Sequence, residues 1–177
     1  KVTTYLREIS EAGNRAARII ANMLNFSRPA GGEKNPCSVN DLLENALAMA
    51  SGDYDLRKKY DFRTITINKN YAADLPPVSC HGTEIEQVFL NLLKNSAQAT
   101  REGNEPGIQP EIWIGTKIEK GHVTVTVRDN GPGMTREVLR HIFDPFYTTK
   151  GPGIGTGLGL SVSYFIITVN HGGTIDV

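Results

Sequence analysis

The sequence predicts an α/β fold, a two-layer sandwich in which a mixed, mainly antiparallel sheet carries helices on one face. Helical apolar patterns intersperse with short stretches of alternating apolar residues, and two of those stretches are joined by a turn across residues 119–121. These two observations predict the sandwich. A third, the heptad pattern at the start of the chain, predicts that a bundle-forming helix precedes it.

The N-terminal helix is predicted from small and apolar residues that recur at alternating steps of three and four. They are Leu6, Ile9, Gly13, Ala16, Ile20 and Met23. Pro29, Gly31 and Gly32 then stop the helix and open a joint. The chain therefore divides into a helix over residues 1–29, a linker over 30–37 and a separate domain over 38–177.

The first half of this domain begins with a helix and a strand. Ser38 or Asn40 can cap a helix that ends near Met49, and residues 64–67 alternate as a strand. The pattern over residues 53–61 is ambiguous.

A capping box and a hairpin follow. Thr83 and Glu86 are spaced to satisfy the first amides of a helix that runs to about Thr100. Residues 112–114 and 123–127 alternate as two strands, and the short connection between them predicts a hairpin.

The last part of the domain is glycine-rich. It brackets a short predicted helix over residues 137–142 and leads into an apolar helix over residues 158–169. Residues 174–177 are predicted to start a further strand of the sheet.

Length, charge and composition exclude several function classes. The 177 residues suffice for one sizeable core with an appendage, and 19 basic and 19 acidic side chains cancel to no net charge. No whole-chain field therefore draws the protein to nucleic acid or to an anionic membrane. No apolar run approaches the ~18 residues that span a bilayer, and the first residues have no signal-peptide core. We expect a cytoplasmic domain without direct membrane contact, free or as the cytoplasmic portion of a membrane receptor.

Cysteine and histidine residues are sparse. Cys37 and Cys80 stand outside any C-x-x-C pair, which suits a reducing compartment, and a disulfide between them is left open. The four histidines are scattered without metal-ligand spacing, so surface or capping roles are expected for them.

The helix that begins near Thr83 combines an apolar surface with one polar stripe. Gln87, Asn91, Asn95 and Gln98 fall on one face at helical spacing. A buried, unpaired amide costs about 1–3 kcal/mol, so the stripe must face solvent, a polar partner or a ligand. An asparagine amide oxygen suits Mg²⁺ when nucleotide phosphates supply the negative charge.

Asp129 ends the second strand of the hairpin. Val123, Val125 and Val127 point to one face of that strand, and the period of two places Asp129 on the same face. An inward carboxylate needs a hydrogen-bond donor, and the adenine amino group is one, whereas guanine has a carbonyl at that position. Asp-Asn-Gly is also a common turn sequence, so the base-reading role and the turn role both stay open.

Glycines occupy every second position from Gly151 to Gly159, where the apolar helix begins. Glycine amides can approach phosphate oxygens closely. Neither the P-loop spacing nor the Rossmann spacing is present. A phosphate-binding loop and a flexible linker are the two interpretations of this segment.

Aromatic residues separate Asp129 from the glycine segment. Phe143, Phe146 and Tyr147 lie close together in sequence and can anchor the hinge of a mobile lid. Lys150 follows them and can reach a phosphate as a point charge or remain a solvated surface lysine.

In this order, the four segments resemble the signature boxes of the histidine-kinase ATPase domain, the Bergerat fold shared with gyrases, mismatch-repair ATPases and a heat-shock chaperone. The similar segments are residues 86–97 for the N box, 129–134 for the first glycine box, 143–146 for the F box and 155–160 for the second glycine box. The resemblance covers residues 38–177. Residues 2–29 are similar to the second helix of the dimerisation and histidine-phosphotransfer hairpin.

The resemblance implies ATP and Mg²⁺ as cofactors. It implies that Asn95 coordinates the magnesium ion, that Asn91 and Gln98 lie by the phosphates, and that Asp129 reads adenine. Asn91 and Lys150 would be the catalytic residues. The other nucleotide-binding residues that it implies are Gly131, Gly133, Met134, Phe143, Thr149, Gly155, Thr156, Gly157, Leu158, Gly159 and Leu160.

The implied activity is that of a protein-histidine kinase. ATP hydrolases of the superfamily use a glutamate one helical turn before the metal-binding asparagine, and this chain has Asn91 there. The resemblance therefore favours transfer of the γ-phosphoryl group to a histidine, for relay to the receiver domain of a response regulator. It also implies a homodimer formed through the N-terminal helix.

Two departures from the family pattern stand out. The phosphoacceptor should be a histidine followed by an acidic residue, and none of His81, His122, His141 and His171 has that neighbour. We therefore expect the acceptor on an upstream helix. Many family members carry lysine or arginine at the position of Gln98, so this phosphate contact would be neutral and weaker.

Two alternatives of other classes stay open. One is a nucleotide-binding regulatory module without kinase activity. The other is a serine kinase or ATPase of the same superfamily, such as an anti-sigma factor kinase. The N-terminal heptad pattern and Asn91 argue against the second.

Overall fold

The computed structural model describes residues 33–53, 56, 61–102, 107–151 and 155–177. The predicted helix over residues 1–29 lies outside this range. Two compact units divide the described chain between Thr135 and Arg136. We call residues 33–135 the first unit and residues 136–177 the second unit. Within the described ranges, no helix has both the length and the apolar character needed to cross a membrane.

Within the described ranges, the first unit has five strands and two α-helices. They are β1 (Asn35–Cys37), α1 (Val39–Gly52), β2 (Thr66–Asn70), β3 (Val78–Cys80), α2 (Gly82–Glu102), β4 (Glu111–Glu119) and β5 (His122–Asp129). One ladder joins β1 and β3, and a second sheet has the order β2-β4-β5. Because β2 runs parallel to β4 while β5 runs antiparallel to it, the sheet is mixed, as predicted.

Helix α1 begins where the sequence predicts. The Ser38 side chain accepts a hydrogen bond of 3.3 Å from the Asp41 amide, which identifies Ser38 as the N-cap. The buried face of the helix carries Val39, Leu42, Leu43, Ala46, Leu47 and Ala50. These apolar residues hold α1 against the core of the first unit.

Removal of this cap should destabilise the chain modestly. We expect Ser38→Ala to lower the free energy of unfolding by about 1 kcal/mol, because the Asp41 amide loses its acceptor. Urea denaturation followed by circular dichroism measures the change. Ser38→Asn, which restores an N-cap acceptor, should recover most of it, and an unchanged midpoint for Ser38→Ala would contradict this account of the helix start.

Two polar contacts tie α1 to α2. The Asn45 side-chain amide donates to Glu86 Oε1 at 2.8 Å, and Lys94 Nζ lies 2.8 Å from Asp53 Oδ2. Leu43 and Leu93 are both fully buried. The helix that carries the polar stripe is therefore fixed to its neighbour along its length.

Helix α2 begins at Gly82, two residues before the start that a Thr83 cap predicts. The amides of Glu84 and Ile85 donate to the His81 carbonyl at 3.0 and 3.2 Å, so His81 occupies the N-cap position. Thr83 lies inside the first turn, and the prediction that it caps the helix is wrong. A helical pattern fixes the face of a helix better than its first residue.

The strand predicted over residues 64–67 begins later, at Thr66. Residues Phe62–Thr64 form a 3₁₀ helix instead, in which the Thr64 and Ile65 amides bond to carbonyls three residues before them. Phe62 and Ile65 are buried. The alternation of apolar residues therefore indicates here which side chains are buried. The backbone conformation is determined by the local hydrogen bonds.

The predicted hairpin is present. Lys120 and Gly121 connect β4 to β5 with φ values of 51° and 80°, the left-handed pair that a two-residue hairpin turn requires. On the face toward the helices, Ile112 and Ile114 are buried. On the other face, Trp113 is partly exposed and the Arg128 guanidinium lies 5.6 Å from its ring centre. Helices thus cover one face of this sheet.

Strands β1 and β3 were not predicted. Asn35 pairs with Cys80 and Cys37 pairs with Val78, so residues expected within the linker belong to a ladder instead. Each strand has three residues, which is too short for an alternating pattern, and Pro36 supplies no amide to the ladder.

Over residues 136–151 and 155–177, the second unit has two short α-helices, α3 (Arg136–His141) and α4 (Gly159–Phe165). Helix α4 continues as a π-helical segment, Ile166–Asn170, and a His171 ring nitrogen lies 2.8 Å from the Ile166 carbonyl at its end. The helix predictions are confirmed to within one or two residues. The strand predicted over residues 174–177 is wrong, because these residues form no backbone ladder with any described part of the chain.

Candidate functional site

The polar stripe lies on α2. Gln98 is 6 % exposed, and Asn91 and Asn95 are half-buried. Helix α2 packs against α1 on one side and the β4–β5 hairpin on another. These side chains are therefore not fully solvated. Partly buried amides on one surface can orient a polar ligand.

Asp129 lies on the core side of the sheet, as predicted. Its register partner is Ile112, which is 0 % exposed. Asp129 itself is half-buried, and its Oδ1 atom accepts a hydrogen bond of 2.9 Å from the Gly131 amide. Among the described residues, none donates to the second carboxylate oxygen, Oδ2. Asp129 therefore serves the turn through one oxygen and presents the other as an acceptor.

Gly131 brings the Asp129 loop against α2. A Cβ atom at Gly131 would lie 2.8 Å from Asp129 Oδ1 and 2.9 Å from the Cβ of Ala99. Real side chains do not approach this closely, so the contact requires glycine. Because Ala99 follows Gln98 on α2, the carboxylate loop and the end of the amide stripe converge within the first unit.

Asn130 anchors the same loop. Its Oδ1 accepts from the Glu111 amide at 2.9 Å, and its Nδ2 donates to the Gln109 carbonyl at 2.8 Å. The segment on either side of Asp129 is therefore fixed to the start of β4. Gly133 and Met134, by contrast, lie on the exposed part of the loop, where Gly133 has a φ of 73° and Met134 is 45 % exposed.

In the second unit, the F-box turn contacts the second glycine box through the backbone. The Phe146 amide donates to the Gly157 carbonyl at 3.0 Å. Both residues are left-handed, with φ values of 67° and 66°, and a Cβ at Gly157 would lie 2.4 Å from the Phe146 carbonyl carbon. Phe143 stacks on Tyr164 of α4 at 5.1 Å between ring centres. The aromatic segment thus contacts the glycine segment at Gly157 and the helix that follows it.

Gly155 lies against the side chains of Thr148 and Lys150, which precede the glycine segment. A Cβ at Gly155 would lie 3.0 Å from Thr148 Oγ1 and 3.1 Å from Lys150 Cδ. Lys150 is half-buried and Thr149 is exposed. The stem of the Lys150 side chain therefore lies beside Gly155.

The remaining predicted residues lead into α4. Leu158 is 2 % exposed, and its amide lies 3.4 Å from Thr156 Oγ1. Gly159 and Leu160 form the first positions of α4 and are half-buried. Leu158 therefore acts as the apolar anchor of the segment, and Thr156 and Gly159 flank it.

Residues 80–177, more than half of the chain, match the family model described as histidine kinase-, DNA gyrase B- and HSP90-like ATPase. The chain belongs to this family. The family resemblance and the fold class that the sequence predicts are both confirmed.

Relatives within the family are sensor kinases. The chain is 32 % identical over 182 residues to the sensory histidine kinase/phosphatase NtrB of Rhizobium meliloti, covering 96 % of this chain and 44 % of that one. The catalytic domain of histidine kinase ThkA superposes with a TM-score of 0.66 at 31 % identity, covering 81 % of this chain and 86 % of that one. A structure of ThkA in complex with the response regulator TrrA gives 0.69 at 25 % identity, covering 97 % and 45 %. The chain spans less than half the length of the curated relatives it matches.

Sequence reasoning missed two structural features of this family member. Ala99, which packs against Gly131, has no chemical signal of its own. The left-handed backbone of Phe146 is also unsignalled, since positive φ is uncommon for an aromatic residue. The signal that could have indicated both is the glycine opposite each of them.

Proposed function

We propose that the chain is the ATP-binding catalytic part of a sensor histidine kinase, which transfers the γ-phosphoryl group of Mg-ATP to a protein histidine. The observation that carries this proposal is the convergence of Asp129, Gly131 and the end of the α2 stripe within the first unit. A carboxylate acceptor and a row of amides there match the needs of an adenine nucleotide.

We assign recognition of the adenine base to Asp129. One of its oxygens is engaged by the Gly131 amide at 2.9 Å, which fixes the orientation of the carboxylate. The other oxygen would accept from the adenine amino group. Guanine would place a carbonyl oxygen against this carboxylate, so the site should prefer ATP to GTP.

We assign coordination of the magnesium ion to Asn95. Within the described ranges, no group of three or more His, Cys, Asp or Glu side chains is placed to hold a metal ion. The half-buried amide oxygen of Asn95 is a hard, neutral ligand, which fits Mg²⁺ that arrives with nucleotide phosphates and keeps some of its waters. When bound, the ion would neutralise phosphate charge.

The phosphates are assigned to Asn91, Gln98, Lys150 and the segment from Gly155 to Leu160. Asn91 and Gln98 can donate through their amides, and Lys150 supplies a positive charge. The glycines allow backbone amides to approach phosphate oxygens. Phe143, Thr149, Gly131, Gly133 and Met134 complete the proposed set.

Transfer rather than hydrolysis follows from the chemistry of Asn91. A carboxamide cannot accept a proton at neutral pH, so this side chain cannot serve as the general base that activates water. Catalysis would then depend on positioning and on stabilising charge at the phosphoryl group, as in phosphoryl transfer generally.

We propose that the phosphohistidine passes its phosphoryl group to the receiver domain of a response regulator, and that the N-terminal helix forms a homodimer. The complex of ThkA with a response regulator supports the first point by analogy.

Calorimetric titration with ATP tests the nucleotide site. We expect ATP to bind more tightly when Mg²⁺ is added. In Asn95→Ala, the factor by which Mg²⁺ increases ATP affinity should be about tenfold smaller, because one metal ligand is lost. Asn45→Ala is the matched control, since Asn45 is exposed and its described contact is with Glu86. Equal magnesium dependence in Asn95→Ala and the parent chain would overturn the metal assignment.

Phosphate transfer separates the kinase from its alternatives. The 177 residues should bind ATP without labelling themselves, because none of their histidines precedes an acidic residue. Phosphohistidine should appear once an upstream helix with such a histidine is joined to the chain. ATP binding without any phosphohistidine would favour the regulatory module, and steady release of inorganic phosphate would favour the ATPase.

A further inference from the structure

We propose that Cys37 and Cys80 form a thiol modification site, in which a low-molecular-weight disulfide first reacts with Cys37 and Cys80 then closes an intrachain disulfide. The inference concerns the β1–β3 ladder of the first unit and does not depend on the proposed kinase activity. These are the only two cysteines of the chain.

The ladder places both thiols on one face. Cys37 pairs with Val78 and Cys80 pairs with Asn35, so the cysteines are diagonal neighbours on adjacent strands. Diagonal neighbours are roughly 7–8 Å apart at Cα and closer at Cβ, and the strong twist of a two-stranded ladder shortens one diagonal. Here the Cys37 Sγ atom lies 3.8 Å from the Cys80 carbonyl oxygen. The Cys37 side chain also lies within hydrogen-bonding reach of the Cys80 thiol, so closing the disulfide requires the two strands to approach each other by roughly 1–2 Å at this diagonal.

The surroundings give the two thiols different roles. Both line a cavity of about 370 Å³, together with Glu33, His81 and Glu86. Cys37 is half-buried, whereas Cys80 is 2 % exposed. Burial, aided by the neighbouring Cys37 thiol, raises the pKa of Cys80 to about 12. Since the thiolate is the nucleophile, Cys37 is the thiol that a small oxidant meets first.

The chemistry balances with oxidised glutathione as the disulfide. The Cys37 thiolate attacks one sulfur, the S–S bond breaks, and one glutathione leaves and takes up a proton. Cys80 loses its proton and attacks Cys37 Sγ, and the second glutathione leaves as a thiol. The protein loses two protons and two electrons, and oxidised glutathione gains them as it becomes two thiols.

The bridge would stabilise the ladder beside the start of α2. A Cβ at Gly82, the first residue of α2, would lie only 3.6 Å from Cys37 Sγ. Cys37 therefore already packs against the first turn of the helix that carries the amide stripe. A covalent link to Cys80 would fix β1 at this point and would raise Tm by about 5–10 °C, because it constrains the unfolded chain.

Intact-mass spectrometry in mixtures of oxidised and reduced glutathione tests the proposal. We expect a monomer that is lighter by two hydrogen atoms, has no alkylatable thiol and yields a peptide linking Cys37 to Cys80. Cys80→Ser should stop at one glutathione adduct on Cys37. Cys37→Ser should react at least about tenfold more slowly, since only the buried thiol is left.

The opposite results would overturn it. Two alkylatable thiols in fully oxidising buffer, a stable glutathione adduct on the parent chain, or covalent dimers as the main product would each exclude the intrachain bridge. Because these results come from the parent chain, they decide the matter even where a serine variant folds poorly. Cys80→Ala provides a second variant for the buried position.

Discussion

Asp129→Asn should weaken ATP binding by about 10- to 100-fold. This is the largest loss of affinity that we expect from a polar substitution in the first unit. The Gly131 amide needs an acceptor, so the new side chain would keep its oxygen on that amide, which lies 2.9 Å from Asp129 Oδ1 in the parent chain. The nitrogen of the asparagine would then face the adenine amino group, donor against donor. Loss of a charged hydrogen bond costs about 1.5–3 kcal/mol, which gives this range of affinities.

The base selectivity of the variant provides a sharper test than the loss itself. An asparagine nitrogen can donate to the guanine carbonyl, so Asp129→Asn should narrow the preference for ATP over GTP. Asp41→Asn is the matched control, because Asp41 is exposed in the first turn of α1. Calorimetry with both nucleotides measures the ratio. A variant that loses ATP and GTP affinity equally, with an unchanged Tm, would show that Asp129 does not read the base.

The parts of the fold that could be predicted are those with a repeated side-chain period. Helix α2 shows its buried face and its amide stripe over 21 residues, and the β4–β5 hairpin combines alternating valines with a two-residue turn. Asp129 could be placed on the inner face because a strand fixes orientation at every second residue. Sequence therefore locates the chemistry wherever the backbone is regular.

The unpredicted parts depend on contacts between segments distant in sequence. Strand β1 exists because β3 pairs with it, more than 40 residues later. The turn at Phe62 looks like a strand because Ile65 is buried, although local hydrogen bonds shape its backbone. His81 replaces Thr83 as the cap of α2 for a similar reason, since an incoming strand fixes the first turn. A pattern of side chains records burial and not hydrogen-bond partners.

The glycine positions show the same limit at the candidate site. The sequence indicates that glycines recur between residues 151 and 159. It does not distinguish a glycine that a close contact requires from one that only provides conformational freedom of the backbone. Gly157 has Phe146 backbone atoms 2.4–2.8 Å from where its Cβ would be, whereas Gly172 has the same left-handed backbone and no atom within 4 Å. The pair therefore allows the two effects to be measured apart.

Gly157→Ala should be the most damaging substitution in the second unit. A left-handed alanine costs about 1–2 kcal/mol at either Gly157 or Gly172. At Gly157, overlap with the Phe146 carbonyl adds about 1–3 kcal/mol and forces the F-box turn away from the glycine segment. If this segment binds phosphates as proposed, the displaced amides should also reduce ATP affinity at least about tenfold.

The comparison with Gly172→Ala isolates the contact. Both variants lose the same backbone freedom, so the difference between their unfolding free energies reports the Phe146 contact alone. We expect Gly157→Ala to be the less stable by about 1–3 kcal/mol, and we expect Gly172→Ala to bind ATP like the parent chain. Equal stability and equal affinity in the two variants would mean that the backbone contact between the F box and the second glycine box has no energetic role. A stability difference with unchanged affinity would retain the contact as structural and remove the segment from the nucleotide site.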